Sequence, residues 1–86
     1  MSRQDKLLLR FLNRPNDFTF SELVTLLRGF GYIKTRVGKT SGSRVAFINE
    51  KTKHIIRLHK PHPQKTLKNY QIIDLEKELK AKGFIR

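Results

Sequence analysis

Three histidines, His54, His59 and His62, are the side chains of this 86-residue chain best suited to moving a proton near neutral pH. A histidine on a strand is more often structural or solvated, so each is weighed by its neighbours. His59 has the strongest ones, because the strand pairing argued below sets it opposite Arg44 and near Arg57. An imidazole in that position can take the proton of a ribose 2′-hydroxyl or return one to a leaving 5′-oxygen. An adjacent guanidinium can stabilise the charge that builds on the phosphorus centre. His59 and Arg44 are therefore the candidate catalytic pair. His62, between Pro61 and Pro63, is held on the same exit segment and is the second candidate.

The segment Gly38-Lys39-Thr40-Ser41-Gly42-Ser43 supplies backbone N–H groups, hydroxyls and a flanking cation, which together can cradle a phosphate. It lacks the spacing of a nucleotide-binding P-loop, and a strand follows it where such a loop needs a helix. Most Gly/Ser segments are plain connections. Ser41, Ser43 and Lys39 nevertheless join the candidate phosphate ligands, with Lys34, Arg36, Arg57, Lys60 and His62. The alternation puts Ile33, Thr35 and Val37 on one face and Tyr32 with Lys34 and Arg36 on the predicted solvent face, where Tyr32 could stack on a base. His59-x-x-His62 has no nearby carboxylate or cysteine to complete a metal site, so neither a metal nor a cofactor is expected.

Five elements must position these groups, and a sixth precedes them. Leu7, Leu8, Phe11 and Leu12 fall on a 3.6-residue period and predict a helix over 3–13, stopped at Pro15. Thr19 and Glu22 form a capping-box pair, with Phe18 and Leu23 at the staple positions, for a helix reaching about Arg28 and closed by Gly29 or Gly31. The pattern then changes to period two over Tyr32–Val37, Arg44–Asn49 and His54–His59. Asn69 is placed to cap a last helix from Tyr70 to about Lys82, ended at Gly83.

The register of the second hairpin follows from its apolar residues. Setting Val45 opposite Leu58 and Phe47 opposite Ile56 gathers four large apolar side chains on one face and leaves a four-residue loop. The same register sets Arg44 opposite His59 and Ala46 opposite Arg57. The expected fold is α+β: an α-βββ-α unit with a three-stranded antiparallel sheet, helices on one face and an open basic face. One domain is expected over 1–86, with 3–13 a helical extension and 18–84 the core.

Charge narrows the partner. Nineteen Lys and Arg against seven Asp and Glu leave +12, and residues 31–65 hold nine of the cations against Glu50 alone. A concentrated basic surface attracts polyanions and releases their counterions. An anionic membrane would favour a basic amphipathic helix, whereas this excess lies in strand-like sequence. A DNA-reading helix is disfavoured because residues 18–28 carry one cation, Arg28. With no cysteine, no long apolar run and no secretory leader pattern, cytoplasm is the expected compartment, RNA the expected partner and no membrane association is expected.

The order of these pieces resembles the HicA family of toxins. The resemblance is carried by Phe30-Gly31-Tyr32, by Gly38 to Phe47 with Gly42-Ser43 ahead of the second strand, and by Leu58-His59-Lys60-Pro61-His62-Pro63 with Leu67-Lys68. It spans about 18–84. It implies a fold like the double-stranded-RNA-binding domain and cleavage of mRNA without a metal. It also implies neutralisation by an acidic antitoxin of HicB type. The family pattern carries its catalytic histidine directly after Gly-Ser, where this chain has Arg44. Either His59 has taken over that role, or the chain binds RNA without cutting it.

Overall fold

The computed structural model describes residues 3–36, 44–59 and 65–85, and at Arg36 and Arg44 it describes the backbone only. Three helices and three strands follow one another as α1 (Arg3–Leu12), α2 (Phe20–Gly29), β1 (Tyr32–Arg36), β2 (Arg44–Asn49), β3 (Ile55–His59) and α3 (Asn69–Ala81). The strands form one antiparallel sheet in the order β1-β2-β3. This is the α-βββ-α arrangement of the double-stranded-RNA-binding domain with an additional N-terminal helix, as the sequence predicts.

Each element ends where its sequence provides a reason. The Thr19 hydroxyl accepts the Glu22 N–H at 3.0 Å, and the Glu22 carboxylate accepts the Thr19 N–H at 2.9 Å, so two of the free N–H groups opening α2 are satisfied reciprocally. Gly31, at φ 98°, turns the chain from α2 into β1. A side chain there would also press on the Asn49 amide, 3.3 Å from where its Cβ would stand. After α3 the chain closes in a Schellman pattern, with the Gly83 N–H donating to the Lys80 carbonyl and the Phe84 N–H to that of Leu79. At the start of α3 the expectation needs correcting. Lys68, not Asn69, occupies the cap position, and its N–H donates to the Gln71 side-chain oxygen at 3.0 Å.

The β2–β3 register is the one the apolar pattern demands: Arg44 pairs with His59, Val45 with Leu58, Ala46 with Arg57 and Phe47 with Ile56. Phe47 and Ile56 are fully buried beneath Phe20, Leu23, Leu27, Ile72, Leu75 and Leu79 from the helices. Asn49 organises the turn. Its side-chain oxygen accepts the N–H groups of Lys51 and Thr52 while its amide donates to the Phe30 carbonyl, which satisfies a side chain only 2% exposed.

β1 corrects a second expectation. Tyr32 lies not on a solvent face but in the core, 1% exposed, edge-on to Phe84 and His54. Its register partner is Asn49, and Lys34 pairs with Phe47 on the helix-covered side, with the Arg36 backbone opposite Val45. Lys34 escapes by reaching over the sheet edge, its ammonium 5.7 Å above the Phe20 ring. Ile33, which the alternation groups with Thr35 and Val37, is 50% exposed on the opposite face.

The N-terminal helix α1 packs onto the core. Phe11 is fully buried and edge-on to Phe18, Arg10 pairs with both Asp17 and Glu22 at 3.0 Å, and Arg14 reaches the buried Glu76 at 2.9 Å. Partial burial opposes the charge on Glu22, but Arg10 and the Thr19 N–H and hydroxyl outweigh it and hold the carboxyl below its ordinary range. A depressed folded pKa contributes stability above the unfolded value near 4.5, lost as the pH falls through the folded one. Urea denaturation should therefore show wild type losing this increment below that pH, whereas Glu22→Gln loses stability at pH 7 and has a flatter acid limb.

Candidate functional site

The open face of the sheet is built from three cross-strand rows, and its chemistry is graded along the strands. The row nearest the β2–β3 turn is Ile33, Ile48 and Ile55, directly opposed across β1, β2 and β3. Ile33 is 50% and Ile55 39% exposed, which makes this an apolar strip facing water. The middle row is Thr35, Ala46 and Arg57, and the last brings His59 opposite Arg44. Ala46 is only a methyl group, 4% exposed, so the centre of the face is low between its longer neighbours.

His59 and Arg57 are both exposed on this face. As residues two apart on one strand they stand about 7 Å from each other. Directly opposed backbones such as those of Arg44 and His59 lie about 4.5–5.5 Å apart. One phosphate can span these positions. The structure thus unites Arg57 and His59 with the Arg44 backbone position, as the register argument expects. Lys34 is not part of this group, for it stands at the far side of the sheet edge, and Arg36 occupies the β1 position opposite Val45. Lys39, Ser41 and Ser43 with the Gly/Ser loop, and Lys60 and His62 with the proline exit, lie outside the described residues.

The other described histidine is engaged elsewhere. His54 Nδ1 lies 2.7 Å from the Tyr32 hydroxyl and its Nε2 3.6 Å from the Glu78 carboxylate, with the ring largely buried. Burial first, and the Glu78 charge second, push the Tyr32 phenol above its ordinary range, so it stays a neutral hydroxyl. This chain of three ties β1, the hairpin turn and α3 together and faces the core, away from His59.

One contact beneath the site has no counterpart in the sequence pattern. Gln71, 9% exposed, donates its amide to the His59 carbonyl at 3.1 Å while its oxygen accepts the Lys68 N–H. A single side chain therefore couples the first turn of α3 to the end of β3 that carries His59. Glutamine three residues after a cap is the capping-box signal, but Lys68 is an unusual cap and conceals it. Among the described residues no cluster of His, Cys, Asp or Glu could hold a metal ion, and no helix is long and apolar enough to cross a membrane.

Compared with known proteins, residues 20–80 match the model of a family described as HicA toxin of bacterial toxin-antitoxin. No curated protein and no solved structure matches the chain.

The Gln71 bridge makes a measurable demand. Gln71→Leu strands the His59 carbonyl and the Lys68 N–H and should cost about 1–3 kcal/mol in urea denaturation. Hydrogen exchange should quicken at the His59 end of β3 more than at the Asn49 turn.

Proposed function

The chain belongs to the HicA toxin family, and from that premise we propose that it is an endoribonuclease that cleaves mRNA with His59 as the proton-transfer group. Family membership supports a toxin-antitoxin function of ribonuclease type; the assignment of roles to residues is our reading. Its main support is the pairing of Arg44 with His59 at the end of the open sheet face, with Arg57 one row away.

In this reading the phosphate lies over the low floor at Ala46, neutralised by Arg57 and Arg44. Neutral His59 removes the 2′-hydroxyl proton as that oxygen attacks phosphorus. The bond to the 5′-oxygen then breaks, and the protonated imidazole, or His62, returns the proton to it. The products are a 2′,3′-cyclic phosphate and a free 5′-hydroxyl, so atoms and charge balance with no water consumed. The nucleophile is supplied by the substrate and the countercharge by arginine, so the step needs no metal. Lys39, Ser41, Ser43 and Lys60 are the further phosphate ligands of this proposal.

The second reading is an RNA-binding module of the same fold that does not cut, and it rests on Arg44 standing where the family histidine is expected. RNA incubated with purified protein in EDTA separates the two. Cleavage should persist in the chelator, fall by 100-fold or more in His59→Ala, in keeping with the usual worth of a general base, and leave RNA affinity within a few-fold. Undiminished cleavage by His59→Ala would remove it from the mechanism, and no cleavage by wild type would favour the binding module.

The isoleucine row suits a protein better than RNA, because an apolar strip beside a basic end matches a partner with apolar side chains next to carboxylates. We assign it to an acidic antitoxin of HicB type lying across the open face. Ile33→Ala, which adds no charge beside the phosphate site, should weaken antitoxin binding about 5-fold or more by calorimetry and leave RNA cleavage by the free protein unchanged.

A further inference from the structure

The outer surface of α2 bears a second basic feature, on the opposite side of the sheet from Arg57 and His59. Two grooves flank the helix. One lies between α1 and α2, where Arg3, Lys6 and Arg10 face Ser21, Glu22 and Thr25. The other lies between α2 and the β1 edge, where Lys34 and Lys65 stand beside Thr19, Phe20 and Val24. Ser21 and Thr25, one helical turn apart, line both grooves, so the crest between them is low and carries hydroxyls.

The charge here is directed outward. Five cations and one carboxylate line the two grooves, and that carboxylate, Glu22, is already engaged by Arg10 at 3.0 Å. Among the described residues Arg3, Lys6, Lys34 and Lys65 enter no ion pair. Two of them are held in place. Lys34 rests over the Phe20 ring, and the Lys65 carbonyl accepts the Phe20 N–H at 2.9 Å beside the Thr19–Thr66 bridge. Among the described residues, the exposed large apolar side chains, Leu9, Ile33, Ile55 and Tyr70, all lie outside both grooves, whose apolar lining, Leu7, Phe20 and Val24, is half-buried or buried. A protein partner would need such an anchor. Cationic rims around a hydroxyl-lined crest instead suit alternating phosphate and ribose.

We propose that the grooves flanking α2 form a second RNA-binding surface, in which Arg3 and Lys6 on one rim and Lys34 and Lys65 on the other hold the phosphate backbone of the RNA. The proposal rests on RNA being the polyanion this chain acts on. α1 lies outside the segment matched to the family, so one wall of this surface is an addition to the family core. β1 is an edge strand, so RNA leaving the open face can round it and reach Lys34 without crossing the molecule.

The test is fluorescence anisotropy of a labelled single-stranded RNA across a salt series, in a His59→Ala background that prevents cleavage. Arg3→Ala/Lys6→Ala and Lys34→Ala/Lys65→Ala should each weaken binding about 10-fold or more at low salt. Each pair should also reduce the slope of log K against log salt by about 1.4, at roughly 0.7 per lost phosphate contact. Ser21→Glu removes no cation and suits the first turn of a helix, yet it should weaken binding comparably. Lys77→Ala/Lys80→Ala on α3 serves as the control and should match the parent. Groove variants indistinguishable from that control overturn the proposal while leaving the catalytic reading intact, as does loss of antitoxin binding with RNA binding retained. Failure of the parent to bind RNA at all overturns both.

Discussion

Phe47 and Ile56 face one another at the centre of the sheet, both fully buried, and their pairing sets the position of everything on the other side. Side chains alternate along a strand, so the choice that sends Ile56 and Leu58 toward the helices sends Ile55, Arg57 and His59 outward. A one-residue slip of β3 would turn Ile56 and Leu58 to water and bring only Ile55 inward, a net loss on the order of 1.5–3 kcal/mol. It would also press Arg57 into the core, where an unpaired guanidinium costs still more. Against a net stability of about 5–15 kcal/mol for a domain, such a register is not competitive. The site thus inherits its geometry from hydrophobic packing on the face it does not occupy.

Polar contacts hold the two ends of that arrangement. At the turn, Asn49 gathers Lys51, Thr52 and Phe30 around one buried amide, and Tyr32, His54 and Glu78 tie β1 and the turn to α3. At the other end Gln71 grips the His59 carbonyl from the first turn of α3. Between them the open face passes from isoleucine to arginine and histidine. That gradient sets an apolar row and a cationic end side by side on one small sheet.

The distribution of charge is less simple than a single basic face. Arg57 and His59 lie on the open side, whereas Lys34 reaches around the β1 edge to Phe20 and Lys65 comes beside the α2 N-terminus through the Thr19–Thr66 bridge. α1, anchored by Phe11 and by the Arg10 pairs with Asp17 and Glu22, extends this second region with Arg3 and Lys6. Among the described residues, cations therefore stand on two separate surfaces joined at the β1 edge.

The element order, the Thr19–Glu22 cap and the hairpin register are all legible in the amino-acid sequence, because each follows from local pattern: period, capping chemistry and the pairing of four large apolar residues. The opposition of Arg44 and His59 comes with that register, since pairing Val45 with Leu58 fixes the next pair along the ladder. The orientation of β1 has no such local signal. Its alternation offers Ile33 and Thr35 as the inward set, but the helices cover the other side and the core takes Tyr32, which finds His54 for its hydroxyl. Gln71 is equally illegible, since its partner at His59 is twelve residues away and its cap is a lysine. His59 is thus the residue that sequence alone could put beside an arginine. Only the packing of helices on one sheet face decided which lysines share its surface and what holds its backbone, because both depend on contacts between elements that no local pattern encodes.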